Sequence, residues 1–204
     1  MKNKMGWVLG WAVPEAWFAP LAQAAFPKTQ HVFVTAGPTA LEQLESEGPY
    51  DWVAGYSLGS LLLLCEAERA HRLGRVALLA PIFAFPRESH CGGRVALVQL
   101  VKLKRWLRAA PREALMGFYK RAGLDVSVMQ LTDRELTGLL WGLERLENDS
   151  VDTALPVGWC AWCGTEDPLL DAERLCEVSP DLVRVTGAGH HPTALLRAFA
   201  EAVA

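Results

Sequence analysis

The sequence predicts an α/β fold: a mostly parallel sheet of about six strands covered by helices, with a helical insertion before the last two strands. Three observations carry this. Short apolar runs alternate with helix-period stretches, the pattern of a parallel sheet with crossover helices. That alternation stops between about residues 86 and 150, where helical patterns follow one another. And 204 residues that are 51% hydrophobic and 21% charged suffice for one domain with a sizeable core. The chain is accordingly expected to be a single domain over 1–204, carrying a helical cap over about 86–150.

In chain order, strands are expected at Gly6–Leu9, His31–Thr35, Trp52–Tyr56, Arg75–Ala80, Val157–Trp162 and Leu182–Val185, each a short apolar run bounded by turn residues. Helices are expected at Pro14–Ala25, Leu58–Arg72 and Thr193–Ala202. Within the cap, one helix covers Arg94–Ala109. A second starts at Pro111 and stops at Gly123, with Pro and Gly as its start and stop signals. A third opens at "TDRE", where Thr132 and Glu135 have capping-box spacing. Its Leu136, Leu139, Leu140, Leu143 and Leu146 recur on one face.

Net charge is −3, which does not favour nucleic acid as a partner of the whole molecule. The charge is uneven, with a basic excess in 86–150 and an acidic excess elsewhere. Five cysteines (Cys65, Cys91, Cys160, Cys163, Cys176) amid apolar neighbours read as reduced thiols in a cytoplasmic protein. "CAWC" at 160–163 falls in a strand-like run, where residues three apart face opposite ways, so no metal site is expected. No run has the length of a membrane helix. "MKNKMGWVLGWAV" followed by "AQAA" at 22–25 mimics a secretory leader, but Pro14, Glu15 and Pro20 interrupt it, and its first part reads better as a core strand.

"WVAGYSLGS" at 52–60 contains Gly55-Tyr56-Ser57-Leu58-Gly59, a G-x-S-x-G between a strand and a helix. A serine on so sharp a turn needs small residues two positions either side. The helix N-terminus favours developing negative charge, and the amide after the serine can donate to an oxyanion. Ser57 is therefore the candidate nucleophile, while Ser60, one turn on, reads as packing. A serine needs a base, and the base an orienting acid. Asp167 in "TEDPLL" follows a strand end and is the candidate acid; Glu166 and Asp171 are rivals, Asp171 being better suited to start the next helix. "TGAGHHP" follows the last strand and supplies His190 and His191. His191 precedes Pro192 and is pushed toward extended backbone. The loop "VLGWAVPEAW" offers a second oxyanion amide at Trp11, with Gly10 permitting close approach; Trp11 as ordinary core is the competing view.

On these residues the chain resembles the α/β-hydrolases, and more narrowly the pimeloyl-acyl-carrier-protein methyl ester esterases of biotin synthesis. The similarity lies in "GWAVPEAW", "GYSLGS", "LLWGLERLENDSV", and the pair "CGTEDPLL" and "GAGHHP". It implies the α/β-hydrolase fold and a methyl esterase without a cofactor, with Ser57 as nucleophile, Asp167 as acid and His190 as base. The amides of Trp11 and Leu58 would form the oxyanion hole, leaving His191 to flank the pocket or cap the helix. It also implies an acyl carrier protein as partner, met by cap cations: Lys104, Arg105, Arg108, Arg112, Lys120 and Arg121, with Lys102 in the same run against one acid, Glu113. Two departures stand out. Leu9 replaces the family's His before Gly-Trp, and the first strands of a full hydrolase sheet are missing, which shortens the sheet. A general short-chain carboxylesterase or thioesterase of the same fold is the alternative.

Overall fold

A computed structural model describes residues 3–128, 131–151 and 154–204. Met1 and Lys2 of the leader-like stretch lie outside the described residues. Six strands form one parallel sheet: β1 (Lys4–Val8), β2 (Gln30–Val34), β3 (Trp52–Tyr56), β4 (Arg75–Leu79), β7 (Cys160–Gly164) and β8 (Val183–Val185), in the order β2-β1-β3-β4-β7-β8. Two further strands, β5 (Ala84–Pro86) and β6 (Gly92–Val95), form a separate parallel ladder. The helices are α1 (Glu15–Ala25), α2 (Ala40–Glu47), α3 (Leu58–Cys65), α4 (Ala67–Leu73), α5 (Leu97–Ala109), α6 (Pro111–Ala122), α7 (Asp133–Asn148), α8 (Ala172–Val178) and α9 (Pro192–Val203).

The core strands are apolar on both faces because helices cover both. All five residues of β3 are buried, and Trp7, Phe18, Tyr56 and Phe199 are among the largest fully buried side chains. Trp7 meets Phe18 and Phe199 edge-on, with centroids 5.4 and 6.4 Å apart, so α1 and α9 are joined across the same indole. Its Nε1 donates to Nδ1 of His31 at 2.9 Å, leaving His31 Nε2 to donate to the Phe26 carbonyl at 3.1 Å.

Strand order also locates the place where a site can form. From β1 the chain moves to one side for β2 and returns to the other side for β3, so the loops after β1 and β3 diverge at a topological switch point. Register pairs Val8 with Gly55. Two residues beyond each lie Gly10 and Ser57, facing one another at the carboxyl end of the sheet.

Four expectations need correction. The stretch from 86 is not helical throughout: β6 occupies Gly92–Val95 and α5 begins only at Leu97. A Cβ on Gly93 would sit 1.9 Å from the Phe85 carbonyl oxygen, so only glycine lets these two backbones touch. The strand expected at Val157–Trp162 is shifted to Cys160–Gly164, because Gly158 turns at φ 84°. The helix expected at Leu58–Arg72 is two, broken at Glu66 with φ −116° and ψ 39°. And α2 was not foreseen; "ALEQLESE" buries only Ala40, Leu41 and Leu44. The capping box of α7 is present: Thr132 Oγ1 accepts from the Glu135 amide, and Glu135 accepts from the Thr132 amide at 2.7 Å. Its Leu143 and Leu146 are buried, whereas Leu136, Leu139 and Leu140 are half-buried.

Candidate active site

Ser57 occupies the single residue between β3 and α3, at φ 53° and ψ −115°. A side-chain-bearing residue at that φ is strained, and the strain persists because the surroundings hold it. A Cβ on Gly55 would lie 2.7 Å from the Gly59 carbonyl oxygen, and one on Gly59 would lie 2.0 Å from the Val8 carbonyl oxygen. Both glycines of the motif are therefore required by backbone contact. Ser60 does more than pack. Its hydroxyl donates to the Ser57 carbonyl at 2.5 Å and accepts from the Ile82 amide at 3.0 Å, tying the turn to the loop after β4.

Asp167 and His190 arrive from neighbouring loops of the same sheet edge. Asp167 follows β7 by three residues and is fully buried. Its Oδ1 accepts from the amides of Leu169 (2.8 Å) and Leu170 (3.0 Å), which fixes the carboxylate and satisfies it away from water. Its Oδ2 lies 2.7 Å from Nδ1 of His190. His190 Nε2 in turn lies 3.1 Å from Ser57 Oγ. With the Nδ1 proton turned to the carboxylate, the Nε2 lone pair faces the serine. Ser57 is 8% exposed, His190 2% and Asp167 0%, so reach to solvent increases along the chain toward the serine. The loops approach closely because a Cβ on Gly164 would fall 2.1 Å from the Ala188 carbonyl oxygen. Tyr56, the residue before the serine, donates its hydroxyl to the His190 carbonyl at 2.8 Å. Burial, and then the charge of Asp167, push the Tyr56 phenol well above its usual range.

The two rivals for the acid part company. Asp171 caps α8, accepting from the amides of Glu173 and Arg174 at 3.1 and 3.2 Å, and it faces Arg94 at 3.6 Å. Glu166 is exposed, its amide bonded to the Ala188 carbonyl. The two adjacent histidines are also separated. His191 accepts from the Thr193 amide at 3.4 Å as the cap of α9, and its Nε2 lies 3.2 Å from Asp125, which also accepts from Trp17 Nε1 at 3.0 Å.

Trp11 follows Gly10 in the loop after β1, and a Cβ on Gly10 would stand 3.2 Å from the Cβ of Ser57. Among the described residues the amides of Trp11 and Leu58 form no hydrogen bond. The Trp11 indole is buried as well, meeting Phe118 edge-on at 4.6 Å and donating to the Leu139 carbonyl at 2.8 Å, so the loop is anchored to the cap. Gly142 of α7 leaves room for it: a Cβ there would be 2.6 Å from the indole and 3.0 Å from Leu58. Cavities of about 450 and 540 Å³ lie on either side of Trp11, and the larger one also reaches Leu58. No signal in the sequence pointed to this division.

The cap cations do not behave as one set. Arg105, Arg108, Arg112 and Lys120 are exposed on α5 and α6, whereas Lys104 is largely covered and ion-paired with Glu147. Lys102 and Arg121 line the smaller cavity. Cys160 is half-buried and Cys163 buried at opposed positions of β7, and burial pushes the Cys163 thiol far above its ordinary value. Among the described residues no cluster of three or more metal-ligating side chains occurs, and no helix is long and apolar enough to cross a membrane.

No protein-family model matches the chain, and no curated protein matches its sequence. Its structure is similar to solved ones. One is the thioesterase RedJ of the prodiginine pathway in Streptomyces coelicolor, at TM-score 0.60 and 15% identity over 98% of this chain and 85% of that one. Another is an α/β hydrolase from Sphaerobacter thermophilus, at TM-score 0.57 and 19% identity over 99% and 93%. A third is BioG from Haemophilus influenzae, at TM-score 0.55 and 13% identity over 93% and 89%. The fold is that of the α/β-hydrolases.

Proposed function

We propose that this chain, on its α/β-hydrolase fold, is a serine esterase that hydrolyses the methyl ester of pimeloyl-acyl-carrier protein in biotin-precursor synthesis. The observation that carries the hydrolase reading is the unbroken path from Ser57 Oγ through His190 to Asp167, at distances of 3.1 and 2.7 Å. A buried serine in a strained turn, aimed at an imidazole that a buried carboxylate orients, is the arrangement nucleophilic acyl transfer needs.

The steps follow from these positions. Ser57 Oγ attacks the ester carbonyl carbon as its proton passes to His190 Nε2. Asp167 holds the ring and stabilises the imidazolium. The tetrahedral oxyanion accepts from the amides of Trp11 and Leu58, the second backed by the N-terminus of α3. The intermediate collapses, and the methoxide leaves as methanol with the proton from His190. A water molecule then gives a proton to His190 and attacks the acyl-enzyme. Collapse of this second intermediate returns the proton to Ser57 and releases the free acid.

The substrate is supported by the resemblance of five sequence segments to the pimeloyl-carrier esterases, by the likeness to BioG, and by the exposed basic face of Arg105, Arg108, Arg112 and Lys120. Such a face steers an acidic carrier protein. Lys104 contributes less to that field, being neutralised by Glu147. The test is methanol release from pimeloyl-carrier-protein methyl ester by wild type and Ser57→Ala. Release by wild type alone agrees with the proposal; equal rates, or no release by wild type, contradict it. A thioesterase is the second reading, favoured by the likeness to RedJ. A higher kcat/KM on acyl thioesters than on matched methyl esters would select it.

A further inference from the structure

The loop after β1 turns back on itself between Gly10 and Val13, closed by a backbone bond from the Val13 amide to the Gly10 carbonyl at 3.3 Å. Ala12, inside that turn, has φ 58°. A residue with a Cβ avoids this left-handed region unless its surroundings impose it. The turn is pressed against the elbow as well, since a Cβ on Gly10 would stand 3.1 Å from the Tyr56 ring and 3.2 Å from the Ser57 Cβ. Nothing in "GWAVP" itself keeps Ala12 in that conformation, because the glycine of the segment stands at 10 and not at 12.

The hold comes from the cap. Tyr119 of α6 donates its hydroxyl to the Ala12 carbonyl at 2.5 Å. Trp11 Nε1 donates to the Leu139 carbonyl of α7 at 2.8 Å. Both side chains are buried. Burial pushes the Tyr119 phenol up to about 12, so it stays a donor at any ordinary pH. Tyr119 is itself fixed near the end of its helix, where its carbonyl accepts from the Leu124 amide at 2.9 Å. The bond to Ala12 grips the peptide that follows the strained residue, and the Trp11 amide lies in the peptide two before it. If Ala12 relaxed to a negative φ, these peptides would rotate against one another and the Trp11 amide would turn away from Ser57.

We propose that Tyr119 is a positioning residue for the oxyanion hole: its hydroxyl holds the Ala12 turn, and through it the Trp11 amide, in the orientation that receives the tetrahedral oxyanion. This rests on the hydrolase reading above, in which the Trp11 amide meets that oxyanion. Tyr119 touches no reacting atom. The two donors are then set by different parts of the chain, the Leu58 amide by the elbow and the Trp11 amide by the cap.

The test compares wild type, Tyr119→Phe and Tyr50→Phe in hydrolysis of p-nitrophenyl butyrate and in inhibition by butaneboronic acid. The tetrahedral boronate adduct of the serine presents an oxygen to the oxyanion hole, which the planar ester does not. Tyr50 also donates to a carbonyl, that of Leu44 at 3.0 Å, but it precedes β3 at the end opposite Ser57, so it reports the cost of losing a buried tyrosine bond alone. Tyr119→Phe lowers kcat and boronate affinity about tenfold, short of the roughly 10²–10³ that follows outright loss of an oxyanion donor, with KM unchanged. Tyr50→Phe moves neither quantity. In an Ala12→Gly background the Tyr119→Phe loss shrinks, because glycine adopts this φ without an outside hold. A Tyr119→Phe protein that matches Tyr50→Phe in kcat and boronate affinity, or a loss of the same size in both backgrounds, overturns the proposal and leaves the hydrolase reading standing. Wild type that neither hydrolyses the ester nor binds the boronate rejects the hydrolase reading and this assignment with it.

Discussion

Tyr56 donates its hydroxyl to the carbonyl oxygen of His190 at 2.8 Å, so the residue before the serine grips the backbone of the residue facing that serine. Both are buried, and no water replaces the bond when it is cut. Tyr56→Phe leaves a buried carbonyl unpaired, a cost of about 1–3 kcal/mol. Thermal denaturation should show the loss. Ester turnover should fall mainly in kcat, because the imidazole loses its fixed approach to Ser57. An unchanged melting temperature together with an unchanged kcat contradicts this role.

The adjacent histidines give opposite outcomes. His190→Ala removes the only imidazole within reach of Ser57 among the described residues, and kcat should drop by roughly 10³-fold or more. His191→Ala removes a helix cap and the tie to Asp125, with a cost of about 1 kcal/mol in stability and a modest effect on rate. Steady-state kinetics and melting curves of both variants decide it, and a larger kinetic loss at His191 would reverse the assignment.

Much of this site was legible in the sequence because each member sits in a local pattern: Gly55 and Gly59 around Ser57, a turn after a strand at Asp167, and a glycine-rich turn before a helix at His190. What was not legible depends on distant partners. Nothing near Lys104 announces Glu147, which lies forty-three positions away on another helix. The strand at Gly92–Val95 has no alternation, and its form follows from contact with Phe85. The break at Glu66 uses neither Gly nor Pro, so the run from Leu58 reads as one helix. Trp11 could be recognised as a loop residue beside the serine, but not as the wall between two cavities.

Gly59→Ala tests the backbone contact beneath the serine. A Cβ there would meet the Val8 carbonyl oxygen at 2.0 Å, and backbone on both sides cannot yield cheaply. Destabilisation of about 1–3 kcal/mol is expected, with displacement of the turn that carries Ser57. Melting temperature and reaction with a serine-directed fluorophosphonate should both fall. A variant as stable and as reactive as wild type contradicts the close approach.

His31 gives a dependence on pH. Burial lowers its pKa below the ordinary 6.5, against a smaller opposing effect of the Phe26 carbonyl. Neutral His31 accepts from Trp7 at Nδ1, which a protonated ring cannot do. The folded state therefore binds this proton less readily than the unfolded chain. The associated stability is complete above 6.5 and is lost as pH falls from there through the lower folded value. Melting temperature should decline over that window in wild type and decline less in His31→Phe. Equal declines would show that His31 is not the titrating group.

The central claim is that Ser57 is the nucleophile. Intact-mass measurement after exposure to a fluorophosphonate tests it most directly. Wild type should gain one phosphonyl group, with the adduct mapping to Ser57, and Ser57→Ala should gain none. Labelling of Ser57→Ala at the wild-type rate, or wild type left unmodified, would contradict the account.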